Sequence, residues 1–402
     1  MAEKGEAGRA LGMALWASCT ADVISNLALI LFAGWLASFA LSFGPPEFFA
    51  LILFSLTIIA GVSGDSLLRG ALSALLGLLL ATIGLDLIYG TNRFTFGNPN
   101  MMGGLNFIAV LIGLFAIPEI IAMAWNPTAH VGKARSLGKN WVSFADYRRC
   151  FKSIVRGSMI GVFLGSIPGI GAAPSAFLSY SEARRKSPHK ENFGKGEIEG
   201  VAASEAGNNG VAGATLIPLL ALGVPGEVIT ALIIGAFMIH GRQPGPMMFI
   251  LNVDIIYGLF IGLIVSSVFL FFVGTVAIRG FKYVADVPKR ILIPAVLVLC
   301  IYGVFAVNNN LFDVGVMFAM GWVGFAMMRY RVPAAPFLIA FILGPLLEDN
   351  FRQSMLMSGS NPSILFRGPI TWFFWLLTIV TVIAISRTTL KNRAALPVPS
   401  SL

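Results

Sequence analysis

Charge is scarce in this chain. Asp, Glu, Lys and Arg make up only 12% of its 402 residues, while 56% are hydrophobic. Soluble domains carry about 25% charged residues, so a water-soluble globular domain is excluded. Cysteine is scarce too: Cys19, Cys150 and Cys300 stand far apart with no paired motif. That argues against a disulfide framework or a thiolate metal site and leaves them as packing residues. There is no HExxH run and no convincing Ser–His pair, so an intramembrane enzyme lacks its chemistry and none is expected. A GxxxxGK[ST] phosphate loop is also missing, which argues against ATP as a driving force. Short alternating strands of the kind a β-barrel needs are not found.

Long apolar runs are what the chain has instead. EFFALILFSLTIIAG (47–61), LSALLGLLLATIGL (72–85) and IIYGLFIGLIVSSVFLFFVGTVAI (255–278) are examples, the last being 24 residues without a charge. That is enough for a helix across a hydrocarbon layer of roughly 30 Å. The fold class is therefore an all-α polytopic membrane protein, with about ten crossings by hydropathy plus a re-entrant, broken-helix hairpin. The polar start, MAEKGEAGRA, precedes an apolar stretch too long for a signal-peptide core.

The net charge of +9 would suit nucleic acid, but the basic residues gather between apolar runs, as the positive-inside bias predicts. Residues 126–156 hold Lys133, Arg135, Lys139, Arg148, Arg149, Lys152 and Arg156 against one acid, Asp146. This segment is placed in the cytoplasm. Counting back through spans 105–123, 68–88, 47–62 and 11–41 puts the N-terminus inside, where Lys4 and Arg9 agree. Counting forward, Arg279, Lys282, Lys289 and Arg290, then Arg329 and Arg331, mark further inside loops. Arg387, Lys391 and Arg393 put the C-terminus inside as well.

Residues 157–180, GSMIGVFLGSIPGIGAAPSAFLSY, resist this counting. They carry no charge, yet the next loop is again basic, with Arg184, Arg185, Lys186, Lys190 and Lys195. Both flanks on one side imply a hairpin that enters and returns, turning at Ile167-Pro168-Gly169, where proline and glycine break a helix. A second break is expected in EAGNNGVAGATLIPLLALGVPG (205–226). Open backbone at membrane depth is tolerated only inside protein or along a watery cavity. Freed N–H groups at helix starts then seat anions, an arrangement used by secondary transporters.

These considerations select candidate substrate-binding residues: Pro168, Gly169, Gly171, Ala172 and Ser175 in the first break, with Asn208, Asn209, Pro225 and Gly226 in the second. Glu205, Asn208 and Asn209 are the candidates for ion coupling. Two adjacent amides point to different faces of a helix, so satisfying both calls for unwound backbone at 207–213 or a ligand. A rival reading makes the glycines and alanines close-packing residues. Two readings of Glu205 also stand. One is cation or proton coupling or orientation of the site, and the other is a carboxylate that snorkels to the interface or pairs with a nearby lysine such as Lys195. Glu227 is read as a first-turn acid favouring its helix start, and His240 and Arg242 as interface residues. Asp65 and Arg69 are taken to cap a short loop, and His130 and His189 to be solvated.

Three ordered blocks carry a resemblance: GSIPGIGAAPSAFLSYSEARRKS (165–187), GKGEIEGVAASEAGNNGVAGATLIPLLALGVPGE (194–227) and HGRQPGP (240–246). Together with residues 39–86, 93–99 and 111–120, they resemble the large membrane subunit of tripartite tricarboxylate transporters, the TctA family. The resemblance implies secondary active uptake of tricarboxylate or related organic carboxylate anions across the bacterial inner membrane, citrate being a namesake substrate. It implies two partners, a small membrane subunit and a periplasmic solute-binding protein. No cofactor is implied, only a coupling ion, sodium or proton. The family's fold has two repeats, read as inverted, and only the second Pro-Gly broken segment is found here. The resemblance then divides the chain into 1–125, the remainder of a first repeat with four spans, and 126–156, a basic cytoplasmic connector. Residues 157–402 form the second repeat, with a substrate region at 157–246 and scaffold spans at 247–386. Two alternatives stay open: an inactive N-terminally truncated fragment, and a structural or channel-like membrane subunit.

Overall fold

The computed structural model describes residues 1, 4–62, 67–86, 90–125, 141–285 and 289–394. Its first helices are α1 (Ala7–Ala40), α2 (Pro45–Val62), α3 (Leu67–Ala81), α4 (Phe107–Trp125) and α5 (Phe144–Gly165). Next come α6 (Ala172–Lys186), α7 (Ile198–Ala214), α8 (Leu216–Leu222), α9 (Val228–Ile239) and α10 (Met248–Leu251). The last are α11 (Val253–Ala285), α12 (Lys289–Asn308), α13 (Leu311–Arg329), α14 (Ala334–Met357) and α15 (Pro369–Ala394). Among the described residues the only sheet is a short antiparallel pair, β1 (Gly84–Leu85) with β2 (Asn92–Arg93), in the register Gly84↔Arg93.

Seven described helices, α1, α4 and α11 to α15, are long and apolar enough to cross a membrane, and α2, α3 and α9 are shorter apolar helices. The protein is thus an all-α polytopic membrane protein. On α12 and α15 large apolar side chains such as Leu299, Trp372 and Val380 face outward, as expected of surfaces solvated by lipid. One expected span is shorter than its hydropathy suggested. The run over 68–88 leaves the helix at Ala81, because Gly84 takes a φ of 132° and the chain turns into β1. Residues 126–140, Asp65 and His130 lie outside the described residues.

By contacts the chain divides into two compact units. The first holds Met1–Ser42, Ala129–Thr230 and Ala236–Val287, and the second Phe43–Thr128, Ala231–Gly235 and Pro288–Leu402. In the first, α1, α5 and α7 share a core of Met13, Ala17, Ala21, Cys150, Ile154, Ile198, Ala202 and Ala206. Small residues set the approach of α5 to α7. Gly157, Gly161 and Gly165 recur every four residues on one face of α5, and each meets the next turn of α7. A Cβ on Gly157 would stand 2.8 Å from the Ala203 carbonyl oxygen, and one on Gly161 2.6 Å from that of Gly207. Gly165 faces Val211 and Ala214. Backbones this close have no room for side chains at these three glycines.

The start of α5 is fixed by Ser143 and Asp146, which cap it reciprocally. Asp146 also takes both a 2.5 Å and a 3.1 Å bond from the Arg9 guanidinium. Lys4 donates to the Lys195 carbonyl at 2.7 Å, and Arg149 pairs with Glu197 at 2.6 Å. The N-terminus, the start of α5 and the loop after α6 therefore gather at one end of this unit.

In the second unit glycine again brings backbones together: Gly70 of α3 lies on the Ala60 carbonyl of α2, and Gly77 on that of Phe337 in α14. Gly324 of α13 sits against Leu114 and Pro118 of α4. Beside β1 and β2, Asp86, Arg93, Glu348 and Arg352 form a charge cluster, with Arg352 at 2.8 Å from Asp86 and 2.6 Å from Glu348.

Candidate functional site

The first break lies where proline and glycine predict it. Helix α5 ends at Gly165, residues 166–171 are non-helical, and α6 begins at Ala172. Gly169 and Gly171 take φ values of 90° and 73°, which a side chain would resist. Ser179 of α6 donates to the Gly157 carbonyl of α5 at 3.4 Å, so the two helices return antiparallel. Glu199, on α7, accepts from Ser153 of α5 and Ser187 after α6, at 2.5 and 2.6 Å. Both outer ends of the hairpin thus meet the same carboxylate.

The second break comes at 223–227. Helix α8 stops at Gly223, left-handed at a φ of 71°, and Val224, Pro225 and Gly226 run buried and non-helical to Glu227, which caps α9. The two breaks touch. The Gly169 N–H donates to the Gly226 carbonyl at 2.7 Å, and the Glu227 carboxylate accepts from the Ala172 N–H at the start of α6. Glu227 does sit at its own helix start, where its N–H donates to Thr230 Oγ1 at 2.9 Å. Its carboxylate, however, also serves α6. The HGRQPGP block joins the same place: a Cβ on Gly223 would stand 2.8 Å from the Pro244 carbonyl oxygen. The structure thus gathers Pro168, Gly169, Gly171, Ala172, Pro225 and Gly226 around one crossing. Ser175 is buried one turn into α6, donating to the Gly171 carbonyl at 3.1 Å.

The backbone around the two amides differs from the expectation. Residues 207–213 are not unwound, since α7 is helical from Ile198 to Ala214. The reason is that a neighbouring helix supplies the partner. Asn209 turns to α1, donating to Ser18 Oγ at 2.8 Å and back to the Glu205 carbonyl at 3.1 Å, while Asn208 is exposed. Glu205 is met by the Ser18 hydroxyl at 3.3 Å rather than by Lys195, whose carbonyl is engaged by Lys4. A turn later Ser25 intervenes in α7 itself. Its hydroxyl donates to the Gly210 carbonyl at 2.6 Å and accepts from the Ala214 N–H at 2.9 Å, both ends of one helical rung. Inserting a side chain into the ladder in this way bends helices, and α7 gives way to α8 at Thr215.

Sequence reasoning missed the acid at the centre of this seam. Asp22 lies near the middle of α1, and its carboxylate accepts from Ser267 Oγ of α11 at 2.5 Å and from Asn26 Nδ2 at 3.3 Å. The signal was available: Ser18, Asp22 and Asn26, spaced by four, lie on one face of an otherwise apolar span. Glu205, Asn209 and Gly213 form the matching row on α7. Elsewhere, His240 closes α9 through the Ala236 carbonyl at 2.8 Å, and Arg242, His189 and Arg69 are exposed. Cys150 is buried, which pushes its thiol up to about 12, with Glu199 adding to the effect. Among the described residues no group of three or more His, Cys, Asp or Glu is placed to hold a metal ion.

Two helix breaks thus meet inside a polytopic helical protein, beside a half-buried polar seam, an arrangement also described for transporters with discontinuous helices. The family model of the tripartite tricarboxylate transporter TctA family matches residues 1–339, and the chain belongs to that family. It is 36% identical over 370 residues to an uncharacterized 52.8 kDa protein in the TAR-I ttuC' 3' region of Agrobacterium vitis, covering 92% of this chain and 74% of the relative. A second Agrobacterium vitis protein, uncharacterized and in the TAR-II ttuC' 3' region, is 34% identical over 223 residues. That match covers 56% of this chain and 92% of the relative. No solved structure matches.

Proposed function

We propose that this chain is the large membrane subunit of a binding-protein-dependent tripartite transporter. It takes up tricarboxylate or related organic carboxylate anions by secondary active transport across the bacterial inner membrane, with both termini cytoplasmic. A periplasmic solute-binding protein delivers the anion, a small membrane subunit completes the assembly, and a sodium or proton gradient supplies the driving force. The repeat division at 1–125, 126–156 and 157–402 belongs to the same proposal.

The observation that carries it is the crossing of two opened helices at Gly169 and Gly226, in a chain of this family. Helix starts present N–H groups and the positive end of the helix dipole to an anion. At α6 this position is held by the Glu227 carboxylate through the Ala172 N–H. A substrate carboxylate enters by taking over that N–H, with Gly171 and Ser175 alongside. Because Glu227 also begins α9, its release moves α9 relative to α6 and links anion binding to a shift of the broken-helix unit. Asn208, exposed one residue from the α1 seam, is free to meet a substrate oxygen, while Asn209 and Glu205 hold the seam.

The test is uptake of labelled citrate and other carboxylates by cells expressing this chain with its two partner proteins. Uptake is expected to saturate and to collapse when the sodium and proton gradients are dissipated. Gly226→Leu, whose side chain would press on Thr215, is expected to abolish uptake while the protein still reaches the membrane. Uptake that neither saturates nor depends on a gradient would instead identify a channel.

A further inference from the structure

Helix α4 carries one acid in an otherwise apolar span. From Phe107 to Ala124 the only side chain able to accept or donate a strong hydrogen bond is that of Glu119. The buried face of the helix holds Gly113, Ile117 and Pro118 and packs on α13 at Gly321 and Gly324. Glu119 lies on the other face, at helical spacing from Ile112, Phe115 and Met123, and it is exposed. Among the described residues it takes part in no hydrogen bond or ion pair.

Depth makes this arrangement costly. Glu119 stands six positions before Trp125, where the apolar run ends. Trp125 is exposed, as aromatic rings at a membrane boundary are. Six helical residues rise about 9 Å. Side chains on a helix lean toward its N-terminus, so the carboxylate points away from that boundary and toward mid-membrane. It is also too short to reach headgroups as a lysine or arginine stem does. Acids in spanning segments almost always face protein or water and pair with another group. Lipid chains offer no donor. A watery cleft would be lined by further polar side chains, and α4 has none.

We propose that the face of α4 around Glu119 is the docking surface for a spanning helix of the small membrane subunit, which brings a lysine or arginine to the Glu119 carboxylate. The identity of the partner rests on the transport reading above; the need for a cation at this depth does not. Ala116 and Ala122, three residues to either side of Glu119, let a second helix approach closely. A second copy of this chain, meeting α4 with its own α4, would instead set two carboxylates together, which like charge disfavours.

The experiment is co-purification in detergent of the tagged full chain with the co-expressed small membrane subunit. Glu119→Leu is expected to lower the captured subunit on the order of tenfold, while the unfolding midpoint of the chain purified alone does not fall. Ala122→Leu, which blocks close approach without touching the charge, should also lower capture and keeps the test alive if Glu119→Leu fails to fold. Leu299→Trp, on the outward face of α12, should leave capture unchanged. Glu119→Lys should lose capture, and a glutamate at one intramembrane lysine or arginine of the small subunit should restore it. Unchanged capture by Glu119→Leu would overturn the surface, as would a small subunit with no such cation or one that does not co-purify with the unmodified chain. Two further results would overturn it: loss of self-association with capture intact, which puts a second copy on this face, and labelling of Glu119→Cys in the assembled complex by a water-soluble thiol reagent, which puts water there. Capture that depends on Glu119 in an assembly carrying no carboxylate would remove the transport reading and leave the docking surface in place.

Discussion

Two adjacent amides with the same chemistry have different surroundings here. Asn209 is committed to Ser18 and the Glu205 carbonyl, whereas Asn208 is exposed. Asn209→Leu should therefore cost about 1 kcal/mol in detergent unfolding, because Ser18 and the Glu205 carbonyl lose a partner in a half-buried seam. Asn208→Leu should stay within about 0.5 kcal/mol, as surface substitutions do. If the exposed amide meets substrate oxygens, its replacement lowers carboxylate uptake without that loss of stability. Cys150 gives a second prediction. Its thiol is fully buried and held up to about 12, and the thiolate is the reactive form. Maleimide should leave it unlabelled in the native protein and modify it only after denaturation.

At the scale of elements, three glycines on α5 and the small residues of α7 decide how close two helices come. Gly161→Leu places a side chain against the Gly207 carbonyl and the Gly210 Cα, and overpacking of this kind costs about 1–3 kcal/mol. A lowered unfolding midpoint would confirm it, and an unchanged midpoint would show that α5 and α7 can move apart freely. The start of α5 makes a pH-dependent contribution. The Arg9 hydrogen bonds hold Asp146 down to about 2, below its ordinary 3.8. A carboxyl with a depressed native pKa contributes stability that is fully present above the ordinary value and is lost as pH falls toward the native one. Between about pH 4 and pH 2 the protein should therefore lose a part of its stability that Asp146→Asn no longer shows. Comparing the acid unfolding curves of the two proteins measures that difference.

The whole molecule adds direction. The N-terminus, the start of α5 and the loop after α6 meet at one end of their unit through Arg9–Asp146, Lys4–Lys195 and Arg149–Glu197. Single cysteines placed at residues 4, 149 and 195 should all react with a membrane-impermeant thiol reagent from the same side. Labelling of residue 195 from the opposite side would mean that α5 and α6 do not return as a hairpin.

Much of this was legible in the chain. Apolar runs gave the helices of a membrane protein, and Pro168-Gly169 and Pro225-Gly226 marked openings, whereas the unwinding expected at 207–213 is absent. These features depend on hydropathy, a missing N–H and permitted dihedrals, which are properties of the residues themselves. The end of α3 at Ala81 was less visible, because a tight turn at Gly84 outweighed the apolar run that continues past it. The polar seam was hidden for another reason. Ser18, Asp22 and Asn26 line one face of α1 in sequence, but only packing shows that face turned to α7 and α11.

Local chemistry was enough to put the chain in a membrane and to open its helices at Pro168-Gly169 and Pro225-Gly226, though not to keep 207–213 helical. Tertiary structure alone decided that the two openings cross at Gly169 and Gly226 and that Glu227 caps a helix other than its own. It also decided that an apolar span carries a half-buried acid matched with Ser267. Each of these pairs is far apart in the chain, and a polar group in an apolar medium is satisfied by whichever partner folding brings within hydrogen-bond reach.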